Sequence, residues 1–284
     1  MSLEADLARW REHLTRFAAL LGAPPDRTAT PAPDDRPGHC LIFAPHPDDE
    51  CIVGALPLRL QQEAGWRVSN VAVTLGSNAE RREARWAELQ DACGVLGFGC
   101  IRVGADGLSD VRPDTAERQP RLWQVHVGTL AALLARHRPA LVLAPHALDD
   151  NPSHRGVHRL VVESIAAARL DTVLALTEFW STQAQPNALV QTNLQDTARL
   201  IAALERHAGE IERNPYHLRL PAFLADAVRR GGELVLGAGE APPDFAFATL
   251  YRLVAYRAGQ PAAALPRRVF PADQALSSSA LLQP

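Results

Sequence analysis

The stretch LIFAPHPDDE, Leu41–Glu50, decides how the rest of the chain is read. Leu41, Ile42 and Phe43 form a short apolar run with the length of a buried strand, and Pro45 and Pro47 stop it. One histidine and three consecutive acids follow at once, so the polar cluster stands at the carboxyl end of a strand. Open α/β sheets place their ligands at that end. His46 offers a ring nitrogen, and Asp48, Asp49 and Glu50 offer hard oxygens within one turn. Adjacent carboxylates repel one another, and beside a pocket such a group asks for a cation, a divalent metal above all.

Outward from this point, strand-like and helix-like segments alternate. Strands are expected at Cys40–Ala44, Val68–Leu75, Cys100–Val103, Ala140–Ala144 and Val173–Leu176, with helices near 57–65, 79–96, 119–137 and 155–169. Such alternation predicts an α/β fold with a mostly parallel sheet and helices on both faces. Pro57 fits the first position of a helix that starts there, which leaves His46–Leu56 mostly as loop. Beyond residue 178 the pattern weakens: 196–213 and 220–230 read as helical and Phe245–Arg257 holds strand-like stretches. In front, residues 3–22 carry Leu7, Trp10, Leu14, Phe17 and Leu21 at helical spacing, a face that packs on the outside of the domain or on a partner subunit and so leaves a homo-oligomer open. The division expected is therefore an N-terminal helix and Pro-rich connector over 1–38, a main α/β domain over 39–258, and a C-terminal tail over 259–284 that forms an arm or is disordered.

Composition narrows the function classes. An apolar fraction of 47% and a charged fraction of 21% suit a globular domain. The net charge is −3, from 29 basic and 32 acidic residues without any basic block, which argues against a nucleic-acid partner. No apolar run approaches the roughly 18–20 residues of a membrane span, so no membrane insertion is expected. The opening MSLEADLARWREH lacks a basic-then-apolar leader, and a cytoplasmic location is the expectation. Cys40, Cys51, Cys93 and Cys100 form no C-x-x-C pair and read as structural. A dinucleotide site is disfavoured, because the first β-α turn carries acids where a glycine-rich phosphate loop would be needed.

A second cluster follows the strand Ala140–Ala144. His146, His154 and His158 lie close together in APHALDDNPSHRGVH, and in a parallel sheet their loop opens on the same edge as the first. Asn151 reads as a helix N-cap with Pro152 at the first helical position, which puts His154 in the first turn. A lone histidine at a strand end is usually a cap or a packing residue; two clusters at two loops of one sheet edge favour a metal. His46, Asp49 and His154 make a two-histidine, one-carboxylate set, the usual protein share of catalytic zinc, although iron(II) or another divalent ion would accept it. Asp48 is then free to take a proton from water and pass it to a leaving amine.

APHPDDE closely resembles the A-H-P-D-D-E signature of the LmbE-like, or PIG-L, family of zinc-dependent N-deacetylases. NPSHRGVH resembles its H-P-D-H-R-A-x-H block, and Arg85–Leu96 resembles its R-x-x-E-L helix. Glu178-Phe-Trp, Gln185-Pro-Asn, and Ala202–His207 leading to Asn214-Pro-Tyr are similar more weakly, so the likeness spans about 40–220 in the expected order. It implies a Rossmann-like fold, zinc held by His46, Asp49 and His154 rather than His158, Asp48 as general base, and Arg85 as a contact to the substrate's polar groups. The implied substrate is a small N-acylated molecule, an amino sugar such as an N-acetylglucosamine derivative or its conjugate. Another linear amide, or a non-catalytic domain that keeps the metal, are the alternatives. One departure stands out: the first histidine of the family's His-Pro-Asp-His, an oxyanion-stabilising group, is Asn151 here. Asn151 still donates a hydrogen bond but carries no charge, and His146 and His158 are the other candidates for that task.

Overall fold

The apolar run that opens the first motif is the middle of the sheet. In the computed structural model, which describes residues 2–282, β1 (His39–Ala44) lies between β2 (Arg67–Ala72) and β4 (Leu141–Pro145), parallel to both. Parallel pairing continues from β2 to β3 (Gly99–Arg102) and from β4 to β5 (Thr172–Thr177). The crossovers are α2 (Ala55–Ala64), α3 (Arg82–Leu96), α4 (Thr115–Arg118) with α5 (Pro120–His137), and α6 (Pro152–Ala167). Alternate residues of a strand point to opposite faces. Leu41 and Phe43 accordingly pack with Trp123, Leu130, Leu160 and Val161 of α5 and α6. Cys40 and Ile42 meet the other layer, with Leu56, Leu60 and Leu89 of α2 and α3. The chain thus has the expected mixed α/β fold, a mostly parallel sheet with helices on both faces.

The second half closes the sheet differently. β7 (Ala248–Arg257) runs antiparallel to β5 and to β6 (Ala188–Gln191), and β6 pairs in parallel with β9 (Arg268–Phe270). The order is β3-β2-β1-β4-β5-β7-β6-β9, with β8 (Gln260–Ala264) folded back on β7. Between β6 and β7 come α7 (Leu194–Leu204), α8 (Ala208–Arg213) and α9 (Leu220–Gly231), so the single helix expected over 196–213 is two.

The stretch from Gly259, expected as an arm or disordered tail, instead supplies β8, β9 and α10 (Ser278–Leu282). The reason is Arg59 on α2, which is 0% exposed. Its guanidinium pairs with Glu63 at 2.7 Å and donates to the carbonyls of Phe270, Pro271 and Gln274 at 2.7–3.0 Å. A buried cation needs such acceptors. Helix α2 also begins two residues before Pro57, after Gly54 at φ +77°. A side chain at Gly54 would collide with Thr249, and Pro57 in the first turn gives up an N–H that has no partner there. α1 (Leu3–Leu20) lies on the same domain, burying Trp10 and Leu14 and pairing Arg9 with Glu205 at 2.9 Å and Asp6 with Arg206 at 2.8 Å. Among the described residues no helix is long and apolar enough to cross a membrane.

Candidate active site

The loop after β1 is held in an uncommon shape. Asp48 has φ +123°, a conformation that non-glycine residues rarely adopt and that surrounding structure must impose. Glu50 imposes it. One of its carboxylate oxygens accepts from the Asp48 amide at 3.0 Å, while the other accepts from His207 Nε2 at 2.6 Å and from the Cys51 thiol at 3.3 Å. Glu50, Cys51 and His207 are all completely buried. Their donor atoms lie close enough to hold an ion, but each is already engaged with the others. Burial disfavours a charged His207, yet the Glu50 carboxylate outweighs it and raises the ring's pKa. The third acid of the motif therefore braces the loop.

The second acid and the two histidines converge. Asp49 Oδ2 lies 3.4 Å from His46 Nδ1 and 3.4 Å from His154 Nε2. A tetrahedron with bonds of roughly 2.0–2.1 Å has edges of about 3.3–3.4 Å, so the donor set fits a divalent ion such as zinc. Asn151 caps α6 by accepting from the Ser153 amide at 2.9 Å, and Pro152 begins the helix, which fixes His154 in its first turn. The other ring nitrogen of His154 is 3.0 Å from Asp149 Oδ2, the kind of carboxylate contact that orients a metal-ligating histidine. Burial opposes charge on His154, but Asp49 and Asp149 raise its pKa to about 10. Those acids make the position a strong well for positive charge.

Asp48 is buried beside this set. Burial first, and then the Asp49 charge, push its carboxyl up to about 7. The Tyr216 hydroxyl donates to its Oδ2. All four motif residues open into one cleft of about 1090 Å³ at the carboxyl edge of the sheet, shared with Arg85, Asn151, Trp180 and Tyr216. Arg85 lines the cleft and also donates to the Pro47 carbonyl at 3.0 Å, so it steadies the motif loop from α3. Of the three candidates for an oxyanion donor, only Asn151 faces the cleft. His146 is turned to the Ser181 carbonyl at 2.9 Å and His158 to the Pro145 carbonyl at 2.8 Å. Asn151 uses its carbonyl oxygen on the helix cap, and no acceptor among the described residues engages its amide N–H groups. Sequence reasoning missed Asp149, His207 and Tyr216; the weak Ala202–His207 and Asn214-Pro-Tyr likenesses were the signal for the last two.

Residues 41–165 match the model of the PIG-L family, described as GlcNAc-PI de-N-acetylase. The likeness to LmbE-like, PIG-L proteins read from the two motif blocks is thereby borne out. No curated protein matches the chain. Solved structures share the fold. An N,N'-diacetylchitobiose deacetylase from Pyrococcus horikoshii is 17% identical with a TM-score of 0.56, over 78% of this chain and 84% of its own. The 4-carboxy-2-hydroxymuconate hydratase of Pseudomonas putida KT2440 is 18% identical with a TM-score of 0.56, over 80% and 100%. A zinc-inhibited form of teicoplanin deacetylase is 14% identical with a TM-score of 0.54, over 76% and 98%.

Proposed function

We propose that this chain is a metal-dependent hydrolase that removes an acyl group, acetyl by default, from the nitrogen of an amino sugar or a conjugate of one. The observation that carries the reading is Asp48, a buried carboxyl with a pKa pushed up to about 7 beside the His46, Asp49 and His154 donor set. A hydratase of the same fold leaves the reaction open at the level of fold. The match to a de-N-acetylase family model over both motif blocks favours amide hydrolysis.

A divalent ion held by His46, Asp49 and His154 would act as a Lewis acid, polarising the acyl carbonyl and making a nearby water more acidic. Asp48 takes the water's proton as the oxygen attacks the acyl carbon. The carbonyl oxygen becomes an oxyanion, and the Asn151 amide donates to it. Asp48 then returns the proton to the nitrogen, the C–N bond breaks, and the free amine and the carboxylic acid leave. Tyr216 keeps the Asp48 carboxylate aimed through both transfers.

The test combines elemental analysis with amine release from N-acetylated sugars and other linear amides. Stoichiometric metal with chelator-sensitive release supports the reading, and release from non-sugar amides alone shifts the substrate class. Metal without release from any amide leaves a binding domain. Asp48→Asn is expected to keep its metal and lose turnover by about 100-fold or more, whereas His154→Ala is expected to lose the metal; full metal content in the latter would remove the ligand assignment.

A further inference from the structure

The geometry points to a substrate that carries an anionic group, carboxylate or phosphate, paired by one or more of Arg82, Arg112 and Arg219 on the wall of the cleft. This rests on the cleft being the deacylase site. The chain as a whole is slightly acidic, at −3, yet the cleft wall carries five arginines, the others being Arg85 and Arg213. They come from separate elements: Arg82 begins α3, Arg112 precedes α4, and Arg219 precedes α9.

What matters is which of these charges are already matched. Arg213 pairs with Glu210 at 2.6 Å, and Arg85 approaches Glu210 at 3.6 Å. No carboxylate among the described residues lies within ion-pair distance of Arg82, Arg112 or Arg219, and the Nε of Arg82 is buried without an acceptor. The acids of the same wall are engaged with other groups than these three arginines. Asp110 is held by Arg118, Asp149 and Asp49 by His154, and Asp48 by Tyr216. Asp150, bonded to the Ser181 hydroxyl, is exposed and has no cation within ion-pair distance among the described residues. Three guanidiniums without a carboxylate partner leave this wall a local surplus of cationic donors. Such a wall attracts anions, and a guanidinium fork recognises carboxylate and phosphate equally well.

The experiment separates this inference from the hydrolase reading by measuring product-like binding and turnover in parallel. Binding of glucosamine, glucosamine 6-phosphate and muramic acid is compared on the metal-loaded protein; turnover uses the N-acetyl form of each. An anion preference of at least about tenfold, shrinking with added salt, is expected, and phosphate or carboxylate emerges as the stronger arm. In Arg82→Gln, Arg112→Gln and Arg219→Gln the anionic-over-neutral ratio is expected to fall in at least one variant. Because the ratio is taken within one preparation, a partly misfolded variant does not mimic the effect. Equal binding of neutral and anionic sugars overturns the inference, as does a preference that all three substitutions leave intact. Anion-selective binding without amine release supports the arginine assignment while sinking the hydrolase reading alone.

Discussion

Tyr216 stands 168 residues from Asp48 in sequence, yet its hydroxyl is bonded to the carboxylate that the proposed chemistry depends on. A hydrogen bond to a charged group is worth about 1.5–3 kcal/mol. Tyr216→Phe is therefore expected to keep the metal and to lower kcat roughly 10- to 100-fold, read by steady-state kinetics beside elemental analysis. His39 allows a prediction on pH. Burial first, then the charges of Arg67 and His137, hold its ring down to about 4. Arg67 donates to Nδ1 at 2.9 Å, which leaves Nε2–H to donate to Ser69 Oγ at 3.1 Å and favours the neutral ring. An unfolded histidine titrates near 6.5, so the unfolded chain binds the proton first. This share of stability is complete above about pH 6.5 and is lost as pH falls from there towards 4. Denaturant midpoints at pH 7.5 and 4.5 should differ less in His39→Gln than in the native chain. At this scale the sequence was legible where partners are neighbours: His46 through Glu50 form one loop, and Asn151 and His154 one helix turn. Tyr216 and His207 reach the same loop only through the fold, and the weak likenesses at Ala202–His207 and Asn214-Pro-Tyr were all that hinted at them.

Helix α6 shows how an element positions the site it carries. Gly156 lies one turn inside it, and a Cβ there would come within 2.5 Å of the Val111 carbonyl oxygen and 2.7 Å of Arg112 Cα. Helix propensity alone favours alanine over glycine by roughly 0.5–1 kcal/mol. Here the clash is with backbone, so Gly156→Ala is expected to destabilise by about 1–3 kcal/mol instead, measured as a lowered urea midpoint. Burial alone did not decide which elements were legible: half-exposed β3 was expected nearly in place, whereas fully buried β6 was not. β1, β4 and β5 are largely apolar runs, and β2 is buried beyond Arg67 although it carries Ser69 and Asn70; each was expected within a few residues of its place. β8 reads Gln-Pro-Ala-Ala-Ala, exposed throughout, and β9 is three residues long. Neither has a pattern to read; their pairing is dictated by β7 and β6.

At the scale of the molecule, the last 26 residues belong to the core's accounts of charge. A chain ending at Ala258 would leave the buried Arg59 without its three carbonyl acceptors. Glu63 still pairs with Arg59, but each lost hydrogen bond to a charged group is worth about 1.5–3 kcal/mol, together a large part of a domain's stability. That truncation is expected to abolish soluble expression, and Arg59→Met together with Glu63→Leu within it should recover some, as read by soluble yield. The insertion of β7 between β5 and β6 has a further consequence, in time rather than in space. β5 is synthesised by Thr177, but the strand that covers its outer edge begins only at Ala248. At about 5–20 residues per second, the ribosome needs roughly 4–14 s to deliver it. For that interval the nascent parallel half presents a bare apolar strand, Thr172–Thr177, to any neighbouring chain. The vulnerable moment of this protein is thus set by the pace of translation.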